Sequence, residues 1–365
     1  MISFAIAAAT VPLVFRDVNI LAVTDVHAWL AGGDRETTGY SPSINSTLDA
    51  TFGDLLSFTA HAKSLAAAVG KDVFLVDNGD IVDGTGLSNA ADDHCDDILP
   101  LYSQVPFDAL NCGNHELYSN LTMRRFESSG YISGWRGAYL TSNLIWSDGP
   151  KAGRPIGARF KYLRGVVSNV SLLTFGFMYD MAVAEGRCTA VNVVNVSDAL
   201  RADWFTAELR SAEAKAATAV VVLAHADAEN PLLASIVRAI RKFLPLVPIQ
   251  IIAGHSHTRS TARLDARAAA FEPGNYFNTV GYASFDVPRS DGAPRAVASR
   301  LANGAVAGAG GRPVPVRFHF RDVDTSAEAL AAALGTTPRQ LPTAKGRALS
   351  AAIAAKRDAL GECSF

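Results

Sequence analysis

Five short polar clusters in this chain carry donor atoms suited to cations. They are Thr24-Asp25-Val26-His27, Asn78-Gly79-Asp80, Gly113-Asn114-His115-Glu116, Ala224-His225-Ala226-Asp227 and Gly254-His255-Ser256-His257. Imidazole, carboxylate and amide donors in this mixture favour Mn, Fe, Zn or Co over Ca or Mg. Asp25 and His27 are separated by one residue, as are His255 and His257. On extended backbone, residues i and i+2 face the same side. Each pair is therefore expected to aim both side chains at one cation or at two adjacent ones. Gly79, Gly113 and Gly254 each precede a candidate ligand, where glycine permits a tight turn at a crowded strand end. Singly, an Asp or Asn at a strand end reads as a turn former or helix cap, and a lone His as a packed or surface residue. Five such clusters in one chain make that plain reading a run of coincidences.

The elements that must position them follow from the apolar pattern. Residues 18–25, 72–80, 160–167, 171–178, 219–227 and 249–257 read as buried strands, most of them ending in polar residues, and residues 107–116 as a short strand running into a turn. Helical spacing marks residues 55–69, 97–105, 198–215 and 232–244 between them. The runs NYFNTVGY, ASFDVP and PVRFHFRDV then read as further strands, and residues 343–360 as an amphipathic helix. Strands alternating with helices define an α/β protein. In such proteins ligands bind at the C-terminal ends of the strands, where the five clusters fall. The Gly- and Ala-rich residues 300–312 read as a loop. The acidic run ADDHCDD at 91–97 reads as a cap for the helix after it. His61, His94 and His319 lie in no motif and are taken as ordinary.

The ordered set DxH, GD, GNHE, H and GHxH resembles the calcineurin-like metallophosphoesterase superfamily. The strings TDVHAWL, DNGDIVDGTGLS and GNHELY are similar to its 5′-nucleotidase branch. The resemblance spans roughly residues 18–290 and implies a two-sheet β sandwich flanked by helices. It implies that Asp25, His27 and His257 hold a first metal, that Asn114, His225 and His255 hold a second, and that Asp80 bridges them. Two divalent ions (Mn, Zn, Fe or Co) about 3.5–4 Å apart would activate water for in-line attack on a small phosphate ester, possibly a nucleotide. His115 would stabilise the transition state or protonate the leaving oxygen. In nucleotidases an Asp three residues later orients this His; here that place holds Tyr118, so His115 must find another partner or act alone. The same fold leaves a phosphodiesterase or pyrophosphatase as the near alternative, and a non-catalytic metal-binding module as the remote one.

Residues 1–17 read as a signal or N-terminal extension, 18–325 as the catalytic domain and 326–365 as a C-terminal helical segment. The second domain of nucleotidases, which supplies the aromatic clamp and arginines for substrate, is expected to be absent. The chain has 365 residues, is 49% hydrophobic and carries a formal charge of −2. That suffices for a large core. It offers no basic strip for a nucleic-acid polymer. No apolar run is long enough to span a bilayer. Four cysteines are too few for a disulfide scaffold, and without a CxxC pair they do not indicate a structural zinc site; one or two disulfides or free thiols remain open. Residues 2–15 resemble the apolar part of a secretory signal, although a positive n-region is missing and Pro12 interrupts the run. With sequons at Asn45, Asn120, Asn169 and Asn195, this favours the secretory pathway, extracellular or vacuolar, over the cytoplasm.

Overall fold

The computed structural model describes residues 11–32, 48–84, 86–182, 188–288 and 314–360. Its strands are β1 (Val18–Val23), β2 (Phe74–Asp77), β3 (Ala109–Leu110), β4 (Leu144–Trp146), β5 (Phe160–Arg164), β6 (Ser171–Met178), β7 (Val191–Val193), β8 (Ala219–His225), β9 (Ile249–Ile252), β10 (Arg259–Asp265), β11 (Ala268–Pro273), β12 (Thr279–Phe285) and β13 (Phe318–Asp324). Sheet one has the order β13-β12-β1-β2-β3 and sheet two the order β10-β11-β9-β8-β6-β5; β4 and β7 pair separately. Within sheet one, β1, β2 and β3 are parallel. Within sheet two, β6, β8, β9 and β11 are parallel.

Strand periodicity explains the layering. In β1, Val18, Ile20 and Ala22 face one way and Leu21 and Val23 the other. The first set meets Ala219, Val221 and Leu223 of β8 in an apolar layer between the sheets. Leu21 and Val23 instead join a core with Phe52, Leu55, Phe58 and Ala62 of the helix Phe52–Ala68. On the far side, Val220 and Val222 pack with Leu233, Ile236 and Val237 of the helix Pro231–Arg241. The fold is thus a two-sheet sandwich between helices, with every central strand buried on both faces.

The helices Ala327–Ala333 and Ala344–Leu360 close the outside of sheet one. Gly53 and Gly346 let the last of these lie against the helix Phe52–Ala68. A Cβ on Gly346 would stand 2.0 Å from Ser57 Oγ, and one on Gly53 2.2 Å from the Gly346 carbonyl oxygen.

Residues 107–116 are the short strand and turn expected there, β3 passing through Gly113 into a 3₁₀ turn at His115–Tyr118. Several local expectations are corrected. The helix expected over 97–105 is the single turn Leu99–Tyr102. The one expected over 198–215 divides into Val196–Ala199, Asp203–Arg210 and Ala212–Ala216, the last capped by Ser211. NYFNTVGY and ASFDVP are not two strands: β12 runs through both. The β10–β11 hairpin lacks a strong apolar pattern because β10 lies at a sheet edge, partly exposed. The acidic run caps no helix. Asp93 instead accepts from the amides of Cys95 and Asp96, Asp96 pairs with Arg125, and Asp97 pairs with Lys356. The expected loop 300–312 lies outside the described residues.

Cys95, Cys112 and Cys188 are free and buried. The sequon residues Asn120, Asn169 and Asn195 are exposed; Asn45 lies outside the described residues.

Candidate metal centre

The loops leaving β1 and β2 run side by side. The amide of Asp25 donates to the Gly79 carbonyl at 3.0 Å, that of His27 to Asp80 at 2.9 Å, and that of Ala28 to Ile81 at 2.9 Å. This ladder places Asp25 and His27 beside Asp80. The i, i+2 argument for the two pairs is corrected here: none of these residues is on extended strand. Asp25, His27, His255 and His257 have φ of 51°, 47°, 77° and 60°, and Asp80 has 56°. Left-handed backbone costs a non-glycine residue about 1 kcal/mol or more. Five such residues at one strand edge form a strained collar that the surrounding sheets hold in place. Gly79 also has positive φ. Gly113 and Gly254 are needed for room: a Cβ would lie 2.1 Å from Asp80 Oδ1 and 2.8 Å from Asp25 Oδ2 respectively.

The seven candidate ligands converge. Asp25 Oδ1 lies 3.5 Å from His257 Nε2, and His27 Nε2 lies 3.2 Å from the same nitrogen. Asp80 Oδ2 lies 3.1 Å from His225 Nε2 and 3.8 Å from His27 Nε2. Asn114 Oδ1 lies 3.0 Å from His225 Nε2 and 2.8 Å from His255 Nδ1. Three sets of ligating atoms fit within 4.8 Å: Asp25, His27 and His257; Asp80, His225 and His255; and His27, Asp80 and His115. Two buried carboxylates among imidazole nitrogens suit divalent cations, so the donor set fits metal. Backbone contacts fix the rings. His225 Nδ1 lies 2.8 Å from the Asn78 carbonyl oxygen and His27 Nδ1 2.6 Å from that of Asp83, leaving Nε2 of each for the centre.

The buried carboxylates and imidazoles shift one another's protonation. Burial opposes ionisation of Asp80 and Asp25, but His225 and the other nearby imidazoles outweigh it and hold both carboxyls below their usual range. Burial likewise opposes charge on His225, yet Asp80 and Asp25 raise it to about 10. Burial pushes His27 and His255 down. For His115, burial is outweighed by Asp83, whose Oδ2 lies 2.8 Å from Nδ1, and the net shift is upward. The Tyr118 hydroxyl accepts from Asn114 Nδ2 at 2.7 Å.

Three acidic residues were given no role in the sequence. Glu116 accepts from the amides of Gly113, Ile81 and Asp80 at 2.6, 2.7 and 3.0 Å, and burial raises it to about 7. Glu272 accepts from the Ser256 amide and hydroxyl at 3.0 and 2.9 Å, and burial raises it too to about 7. A lone acid within the apolar strand β11 was the available signal, since a buried carboxylate needs donors. Asp83 left no signal, because its contact with His115 crosses 32 residues.

Residues 18–259 match the calcineurin-like phosphoesterase family model. The chain belongs to that family, whose members are metal-dependent. A protein of Schizosaccharomyces pombe is 30% identical over 293 residues, covering 79% of this chain and 45% of the relative. A protein of Arthroderma benhamiae named "Secreted protein" is 28% identical, covering 75% of this chain and 39% of its own. The chain thus spans less than half the length of these curated relatives. Among solved structures, a Candida albicans 5′-nucleotidase superposes with a TM-score of 0.79 at 24% identity, covering 96% of this chain and 59% of that one. A Thermus thermophilus 5′-nucleotidase precursor gives 0.58 at 14% identity, covering 94% and 58%. At these identities the two structures speak for the fold alone. Among the described residues no helix is long and apolar enough to cross a membrane.

Proposed function

We propose that the protein hydrolyses small phosphate monoesters at a dinuclear metal centre. The carrying observation is the convergence of Asp25, His27, Asp80, Asn114, His225, His255 and His257 within one strand edge. Asp25, His27 and His257 would hold one divalent cation; Asn114, His225 and His255 the other; Asp80 stands between both groups. Bound there, the two cations would lower the pKa of a water molecule and neutralise charge on the phosphate oxygens. The protein's own share is orientation. The Asn78 and Asp83 carbonyls fix His225 and His27, and the Asn114 amide is held with Oδ1 inward by Tyr118. His115, half-buried beside His27 at a ring separation of 4.5 Å, would protonate the departing oxygen.

The substrate class is a small phosphate ester of the 5′-nucleotidase type. The exposed sequons and the name of the Arthroderma relative support a secretory location. Protein loaded with Mn or Zn should release phosphate from 4-nitrophenyl phosphate and from AMP, and His255→Ala should abolish the release. Full activity in that variant, or turnover of diesters alone in a panel of mono- and diesters, would overturn the reading.

A further inference from the structure

At the end of sheet two opposite the candidate centre, the loop 165–170 joins β5 to β6. β6 runs from Ser171 to Met178, where it pairs with His225, so the loop lies about 23 Å from the ligands. Its tip carries apolar side chains in water. Val166 is 93% and Val167 45% exposed, and Val166 is the most exposed large apolar side chain among the described residues. The same loop carries Asn169, exposed and first in the sequence Asn169-Val170-Ser171. In a chain that enters the secretory pathway, such a sequence is an acceptor for an N-linked oligosaccharide. We propose that Asn169 carries an N-linked glycan and that this glycan covers Val166 and Val167.

The loop is held in one shape that keeps the valines outward. The Gly165 amide donates to the Val170 carbonyl at 2.7 Å and closes it. Asp72, just before β2, accepts from the amides of Val166, Val167 and Ser168 at 2.9, 3.1 and 2.7 Å, and from the Ser168 hydroxyl at 2.6 Å. Burial opposes charge on Asp72, but Ser168 and the amides outweigh it and hold the carboxyl below its usual range. A Cβ on Gly165 would stand 2.4 Å from Asp72 Oδ2, so the carboxylate sits directly under the turn. With these amides tied inward, the valine side chains cannot fold back without breaking charge-assisted bonds. Asn169 has φ of 58°, a conformation that Asn tolerates better than most residues. Among the described residues its side-chain amide has no hydrogen-bond partner, and Ser171 is half-exposed. Both polar groups of the acceptor sequence are therefore within reach of solvent.

The other described sequons differ. Asn120 Nδ2 donates to Thr189 Oγ1 at 3.1 Å, and its Oδ1 accepts from the Ala190 amide at 2.9 Å. Thr122, the hydroxyl residue of that sequon, is buried. A sugar on Asn120 would wedge apart two segments that its side chain joins. Asn195 makes no side-chain capping bond, but its neighbours Val194 and Val196 are half-buried and buried, so a glycan there would have no exposed valine to cover. The inference rests on the secretory reading. In the step, Asn169 Nδ2 forms a bond to C1 of the first sugar of a diphosphate-activated oligosaccharide. The C1–O bond breaks with its electron pair on the diphosphate oxygen, which leaves. Nδ2 gives up one proton and keeps the other, so the side chain remains a neutral amide. A bulky, hydrated chain then stands over the loop.

The test expresses the full chain from its own first residue in a eukaryotic secretion host. The secreted protein is treated in heavy-oxygen water with an amidase that releases N-glycans, which converts a glycan-bearing Asn to labelled Asp. Mass spectrometry should find label at Asn169 and none at Asn120. Asn169→Gln and Ser171→Ala should each remove the same single glycan, seen as one step of faster gel migration, with phosphate release from 4-nitrophenyl phosphate unchanged. Deglycosylation of the folded protein should lower its solubility limit at least about twofold, and Val166→Ser combined with Val167→Ser should restore it. Secreted protein with Asn169 unlabelled, or with Asn120 labelled, would overturn the choice of site. A deglycosylated protein as soluble as the glycosylated one, or a loss that the two serines do not repair, would overturn the covering role. Retention of the chain inside the host would overturn the secretory reading and this inference with it.

Discussion

The two sheets bring different chemistry to their shared edge. Loops after β1, β2 and β3 of sheet one supply both carboxylates and the amide, with His27 and His115. Sheet two supplies imidazoles alone: His225 at the end of β8 and His255 and His257 after β9. Neither sheet holds all the residues of either proposed metal group, although the set His27, Asp80 and His115 lies on sheet-one loops alone. Each half also has its own buried organiser, Glu116 for the sheet-one loops and Glu272 for the sheet-two loop. The proposed centre would therefore need the assembled sandwich, and metal binding and sheet packing are expected to be thermodynamically linked.

That asymmetry is open to attack at several points. A larger effect is expected at Asp80 than at His257, because Asp80 stands in two of the three ligating sets and His257 in one. Asp80→Ala should cut phosphate release about 10³-fold or more and His257→Ala about 10²-fold, measured as kcat with Mn or Zn in excess. Equal losses would mean that the halves are not unequal partners.

Next comes the linkage itself. Free metal at about 100 times its Kd should stabilise the fold by about 2.7 kcal/mol, seen as a Tm that falls on chelation. The same metal should give Asp80→Ala and His225→Ala, one variant from each sheet, a clearly smaller rise. A full rise in either would show that one sheet binds the metal alone.

The organisers sharpen the contrast further. Glu116 accepts from the amides of Asp80, Ile81 and Gly113 at 3.0 Å or less, while Glu272 has its short contacts with Ser256 and longer ones, 3.4 and 3.5 Å, with the amides of Ala228 and Thr258. Glu116→Gln should cost about 2–3 kcal/mol in denaturant unfolding and Glu272→Gln about 1–2 kcal/mol. The reverse order would sink the idea that the sheet-one loops depend more on their carboxylate.

The smallest effect is a change in pH dependence. Asp77 lies at the end of β2, accepts from the Gly79 amide at 2.7 Å and from the Tyr102 hydroxyl, and burial raises it from 3.8 to about 8. Between those values the folded chain holds a proton that the unfolded chain releases. Its contribution to stability is therefore present below pH 3.8 and is lost as pH rises towards 8. Asp77→Asn mimics the protonated form, so its Tm relative to wild type should be higher at pH 8 than at pH 5. A difference independent of pH would show that Asp77 is ionised in the fold.

How much of this was legible depended on range. The strands β1, β2, β6, β8 and β9 were visible as apolar runs because strands buried on both faces need no polar alternation. The edge strand β10 was not, since its course is set by the neighbour β11. The choice of Asp25, His27, Asp80, Asn114, His225, His255 and His257 came from motif order, and their donor chemistry was readable from residue type. The reason offered for the spacing of the two pairs was wrong, because φ is not written in the spacing.

The sequence by itself determined the donor inventory, the strands that carry it and the glycines that make room for it. These are local properties of residue type and periodicity. Only the tertiary structure decided who orients whom: Asp83 on His115, Glu116 under two loops, Glu272 under the third, Asn78 behind His225. Such contacts join residues distant along the chain, and their geometry follows from how two twisted sheets pack, which no single segment encodes.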